Sequence, residues 1–189
     1  MEATVADTRS ARSGALSRFV LGALRMLLSW AATGLVTGMM IFGLSFGAIA
    51  GFGADSARLP MYVIVALGTV LISHYALKGY MRKMDGRESG FMGMWADSLM
   101  PPFKNGEIAN PILRFLAWLG YWPLAFYSGA IIGQGVYYKL SHRRPTLYRT
   151  AIGASLFGVE LGWFWYAIAA GVHDPGDFMG AFASGLKFW

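Results

Sequence analysis

The chain has 189 residues, of which 56% are hydrophobic and only 14% charged. An ordinary soluble domain carries about a quarter charged residues, and here long windows hold none at all, which excludes a soluble globular domain in favour of a polytopic membrane protein. No cysteine is present and the net charge is +6; the first excludes disulfides, thiolate metal sites, iron–sulfur clusters and thiol catalysis, and the second reads as basic loops facing anionic lipid, not as a nucleic-acid surface.

Residues 1–14 are small and polar, with Arg9 and Arg12, and their composition predicts a disordered tail. Glu2 and Asp7 argue against a mitochondrial presequence, and the apolar stretch that follows is too long for a cleavable signal, so an uncleaved signal anchor is expected. Residues 15–29, broken by Arg18 and Arg25, read as an amphipathic interfacial lead-in. A first span is predicted over 30–52. A short loop with Asp55 and Arg58 follows, and Pro60 opens a second span over 60–77, near a helix start where proline is tolerated.

The polar connection 78–110 carries Lys78, Arg82, Lys83, Arg87 and Lys104, with Asp97 and Glu107 as isolated acids. Its apolar patch, 91–103, is too short to cross a bilayer, and is expected to lie in the interface or to dip in and return. A third span over 112–136, bent at Pro123, leads to a loop with Lys139, His142, Arg143, Arg144 and Arg149. The fourth span covers 150–172. In the tail 177–189, Phe178, Phe182, Leu186 and Trp189 share one stripe, which predicts a second interfacial helix. Trp30, Tyr80, Trp118, Tyr121, Tyr137 and Tyr138 read as aromatic belts at span ends.

The expected fold is thus an all-α membrane protein: four transmembrane helices, amphipathic interfacial segments at the N- and C-terminal ends, and a single membrane domain over 15–189. Basic residues assigned by side favour both termini in the cytoplasm, eleven against five. The loop 137–149 conflicts with that arrangement, because four basic residues in a short loop belong on the cytoplasmic side. Were the 91–103 patch to cross, that loop would lie inside and the C-terminus outside.

Chemistry-bearing features are few. Small residues at four-residue spacing let membrane helices approach closely. They occur at Gly34 and Gly38, at Gly43, Gly47 and Gly51, at Gly129 and Gly133, and at Ala154, Gly158 and Gly162. The grooves serve either packing within this chain or packing against another subunit. Glu160 stands at the centre of the fourth span, about 200° around the helix from Gly158, on a stripe with Leu156, Phe157, Trp163 and Phe164. A carboxylate there is costly enough to need a reason. Three roles compete: a protonated hydrogen-bond donor that locks the bundle, a pair with a partner subunit's residue, and a proton- or ion-handling group. Ser45 and Gln134 are its candidate partners within the chain.

Four spans with both termini inside put His74 and His173 toward one membrane face, where paired histidines could ligate a b-type haem; the alternative is two interfacial polar residues. Met81, Met84, Met92, Met94 and Met100 could be a soft-metal cluster, but read better as adaptable apolar residues. No phosphate loop, nucleophile elbow, His-Glu-x-x-His or carboxylate cluster is present. The expectation is therefore a non-catalytic protein without cofactor or metal. It would be a small subunit of a bacterial inner-membrane assembly for secretion, conjugation or energy transduction. Its contacts would be the lipid bilayer, anionic lipid at the basic loops, and other membrane subunits or copies of itself. The alternatives are a small transporter or channel in which Glu160 handles a proton or cation, and a haem-binding anchor.

Overall fold

The computed structural model describes residues 2–102, 110–171 and Gly180, with side chains described from Gly14 onward. Six helices follow in chain order: α1 Glu2–Phe52, α2 Ala54–Met84, α3 Gly90–Ser98, α4 Pro111–Ser128, α5 Ala130–Ser141 and α6 Leu147–Gly171. No strand occurs among the described residues. Three helical stretches are long and apolar enough to cross a membrane: Gly14–Phe52 in α1, all of α2, and α6.

α1 runs unbroken from Glu2, in place of the disordered tail over 1–14 and the separate lead-in over 15–29 that composition predicts. Neither Gly nor Pro interrupts its first turns, and acids there suit the positive end of the helix. The stretch Gly14–Phe52 is roughly 58 Å long at 1.5 Å per residue, about twice a hydrocarbon core, so α1 overhangs. It ends at Gly53, a single-residue connection with φ 78° and ψ 156°. That conformation is open essentially to glycine alone, and it reverses the chain with a Gly53 N–H to Ile49 O bond of 2.9 Å. α2 therefore starts six residues before Pro60, which stands inside it. The proline only removes the N–H that would serve the Ser56 carbonyl.

The predicted third span over 112–136 is two helices. Asn110 caps α4 by accepting from the Ile112 N–H at 2.8 Å, and Pro111 fills the first helical position. The predicted bend at Pro123 is not where the chain turns, since α4 continues through it to Ser128. The break is at Gly129, with φ 88° and ψ 155°, and α5 then folds back along α4. Tyr121 and Tyr137 have ring centroids 6.4 Å apart, where one continuous helix would separate them by about 24 Å. A Cβ at Gly133 would meet Ala125 and Tyr121 at 3.1 Å, so the Gly129/Gly133 pair serves this hairpin.

Packing fixes the helix directions. Going up α6, Gly158 lies against Ala66 and Thr69, and Gly162 against Tyr62 and Val65. The Tyr166 hydroxyl then donates to the Ala54 carbonyl. Residue numbers on α2 fall as those on α6 rise, so α2 and α6 are antiparallel. α1 is antiparallel to α2 through Gly53, and hence parallel to α6, with Trp165 lying over Gly38. α3 closes the Met84 end: Trp95 Nε1 donates to Thr33 Oγ1 on α1 at 2.9 Å, and Gly79 and Gly93 bring the backbones of α2 and α3 into contact.

The arrangement gathers the basic residues. Arg144 pairs with Asp85 at 2.7 Å, which brings the 142–146 loop to the C-terminal end of α2. Asp97 pairs with Lys83 at 2.7 Å and Arg25 at 3.4 Å, so it is a junction of three helices and not the isolated acid that sequence suggests. Arg18, Arg25, Lys78, Arg82, Lys83, Arg87, Lys139, Arg143, Arg144 and Arg149 all lie toward this end. At the opposite end, Arg58 is the one basic side chain among the described residues. Gly171 lies at that opposite end too, so the chain leaves α6 on the far side from the start of α1.

The core is small-residue and aromatic, and the surface is aliphatic. Ala76, Ala96, Ala125, Ala130 and Ala154 are wholly buried, while Leu35, Met39, Met40 and Leu44 on α1 are each more than half exposed. Water would oppose that pattern, and a hydrocarbon solvent accommodates it.

Candidate functional site

The α4–α5 hairpin is held against α6 by polar contacts at its base. Tyr121 donates to the Arg149 carbonyl at 2.5 Å. The fully buried Gln134 donates to Thr150 Oγ1 at 3.0 Å and to the Thr146 carbonyl at 3.3 Å. The Arg149 guanidinium sits 4.5 Å from the centre of the Tyr137 ring and donates to the Arg144 carbonyl at 2.9 Å. Lys139 donates to the Pro101 carbonyl, and burial holds its ammonium below the usual lysine range against the opposing pull of Asp97. These contacts tie the base of the hairpin to α6, while the Gln134 Oε1 and Arg149 Nε atoms there are shielded with no hydrogen-bond partner.

The tip of the hairpin reaches about halfway along α6. A Cβ at Gly129 would lie 3.1 Å from the Phe157 ring. Phe157 is ten residues, or about 15 Å, from the start of α6. Glu160 comes one turn later. Between the last turn of α4 and the middle of α6 lies an open groove of about 570 Å³ lined by Phe126, Tyr127, Ser155, Leu156, Val159, Glu160 and Trp163. Glu160 is half-buried, and its Oε2 atom is shielded with no hydrogen-bond partner.

The structure separates Glu160 from its two candidate partners. Gln134 is committed to Thr146 and Thr150, and Ser45 is buried on α1 with its hydroxyl unpartnered. Neither lines the groove. Of the stripe-mates, Leu156 and Trp163 do.

The glycine grooves divide in two. Gly38, Gly129, Gly133, Gly158 and Gly162 all meet neighbouring atoms of this chain, whereas Gly34, Gly43, Gly47 and Gly51 have nothing within 4 Å. The close crossing of Gly79 on Gly93 was not signalled in sequence, because both members lie in the polar connection 78–110 and no four-residue spacing marks the pair.

His173 lies outside the described residues, so of the haem pair only His74 is placed, on α2 twenty positions, or about 30 Å, from Ala54. The methionine group divides similarly: Met81, Met92 and Met100 pack in or on the apolar cluster between α2, α3 and α5, and Met84 and Met94 are exposed. The interfacial segment predicted over 177–189 lies outside the described residues, apart from Gly180.

Fold and site together define an all-helical chain with three helices long and apolar enough to cross a membrane, a helical hairpin that reaches about halfway along α6, and one carboxylate in an open groove beside it. No protein-family model matches the chain, and neither a curated protein nor a solved structure matches it.

Proposed function

We propose that the protein is a small, non-catalytic subunit of a bacterial inner-membrane assembly. In this reading it is inserted with the start of α1 in the cytoplasm and contacts its neighbours through α1. One observation carries it: Gly43, Gly47 and Gly51 lie one turn apart with nothing within 4 Å, while the grooves of α5 and α6 are filled from within. Such a face lets a second backbone approach closely, which is the main source of helix association in lipid. The gathering of basic side chains at the Met84 end supports the orientation by the positive-inside rule and suits anionic lipid headgroups there.

The test is mild-detergent purification of the tagged protein from its native membrane, beside Gly47→Leu. The expected result is a stoichiometric foreign membrane protein with the native chain, lost with Gly47→Leu while the variant keeps its own elution and thermal stability. Recovery of the native chain alone, or as copies of itself only, would reject this reading in favour of a self-contained pore or transporter.

A further inference from the structure

Independently of that reading, we infer that the groove beside Glu160 is a binding site for a lipophilic organic cation: a monocation with an aromatic or branched apolar body, entering from the bilayer. The argument starts from why the groove exists. The hairpin stops at Gly129 beside Phe157, so among the described residues no helix packs on the α4-facing side of α6 from that level on. The space falls within the 300–1,000 Å³ range of small-molecule pockets.

The second step is its lining. Phe126, Tyr127 and Trp163 supply three aromatic side chains, Leu156 and Val159 supply aliphatic surface, and Glu160 is the one carboxylate among the lining residues. Aromatic rings attract cations through the negative face of the π-system, most strongly where water is excluded. A carboxylate beside them adds a full opposite charge. The third step is the unmet demand: the Glu160 Oε2 atom is shielded and accepts no hydrogen bond, and an intramembrane carboxylate is costly unless paired. A cation whose charge rests on the carboxylate and whose body lies against the rings meets both requirements. An anion of the same shape would meet the apolar requirement only, and would face repulsion.

The probe follows from that contrast. Tetraphenylphosphonium and tetraphenylborate have nearly the same size and shape and opposite charge. Equilibrium dialysis of each against the full-length protein in nanodiscs, corrected for partition into empty discs, is expected to give saturable phosphonium binding. That binding should be at least tenfold tighter than that of the borate. Glu160→Gln should reduce it at least tenfold. Leu156→Trp, which fills the groove at a partly exposed position and leaves the carboxylate in place, should do the same while keeping the native elution volume and helicity. It keeps the test decisive should Glu160→Gln fail to fold. Equal binding of the two ions, unchanged phosphonium binding in a folded Glu160→Gln, or no saturable binding to the native protein would overturn the inference. So would co-purification of a foreign helix that is lost in Glu160→Gln, because the groove would then belong to a basic residue of a partner.

Discussion

At Gly158 an added Cβ would sit 2.6 Å from the Ala66 Cα, whereas at Gly47 it would meet nothing. The two residues look alike in sequence, each a member of a four-residue small-residue repeat, and only the neighbouring helix tells them apart. Because the obstacle at Gly158 is backbone, it cannot swing aside. Gly158→Ala should therefore lower stability by about 1–3 kcal/mol, as overpacking does, and Gly47→Ala should change it by less than about 0.5 kcal/mol. Thermal unfolding of both variants in one detergent checks this; equal losses would mean that the seam between α2 and α6 is not where it is described. Lys139 belongs to the same scale. Burial depresses its ammonium below the ordinary 10.5, so below the folded value the cost of burying the charge is fully present. As pH rises from there toward 10.5, the folded protein releases its proton before the unfolded chain does, and stability increases. The stability difference between the native protein and Lys139→Gln should grow in the native protein's favour across that window. A difference that is flat with pH would show that Lys139 is solvated.

The element that sequence misreads is the hairpin. Residues 112–136 are apolar enough and long enough to be taken for one span, and hydropathy cannot see a reversal that keeps both arms apolar. The reversal depends on a φ of 88° at Gly129 and on Tyr121 finding the Arg149 carbonyl, a partner 28 residues away. Proline at 123 looks like the stronger breaker, yet α4 absorbs it because only one rung is lost. The consequence is a difference in sidedness. A single span over 112–136 would put residues 87 and 143 on opposite faces of the membrane, and the hairpin puts them on one. The chain has no cysteine, so Arg87→Cys and Arg143→Cys can be labelled without background. Both should react with an impermeant thiol reagent from the same side of sealed vesicles; labelling from opposite sides would restore the single span.

For the whole molecule, the hairpin resolves the charge conflict. With four spans, the basic loop before α6 is stranded on the wrong face. With α4 and α5 folded back as a hairpin, Arg143 and Arg144 join Arg82, Lys83 and Arg87 at one end of the bundle, and Arg58 is left at the other. Segregation of that kind sets orientation. In intact cells, an impermeant reagent should label Arg58→Cys and spare Arg87→Cys; the reverse labelling would place the start of α1 outside.

Sequence by itself marked the apolar character of this protein and the apolar stretches within α1, α2 and α6, though not the full extent of α1 and α2, because apolar length and the absence of charge are properties of the chain alone. It also marked Glu160, since a carboxylate inside an apolar run is conspicuous without any neighbours. Tertiary structure decided the rest: which glycines are filled and which are bare, that Asp97 joins Lys83 to Arg25, that His74 has no histidine at its own level among the described residues, and that Glu160 opens onto an aromatic groove and not onto Gln134. Each of these depends on which helix lies alongside at a given depth. That is fixed by the turns at Gly53 and Gly129, where a single backbone conformation redirects the following chain and leaves no periodic signal.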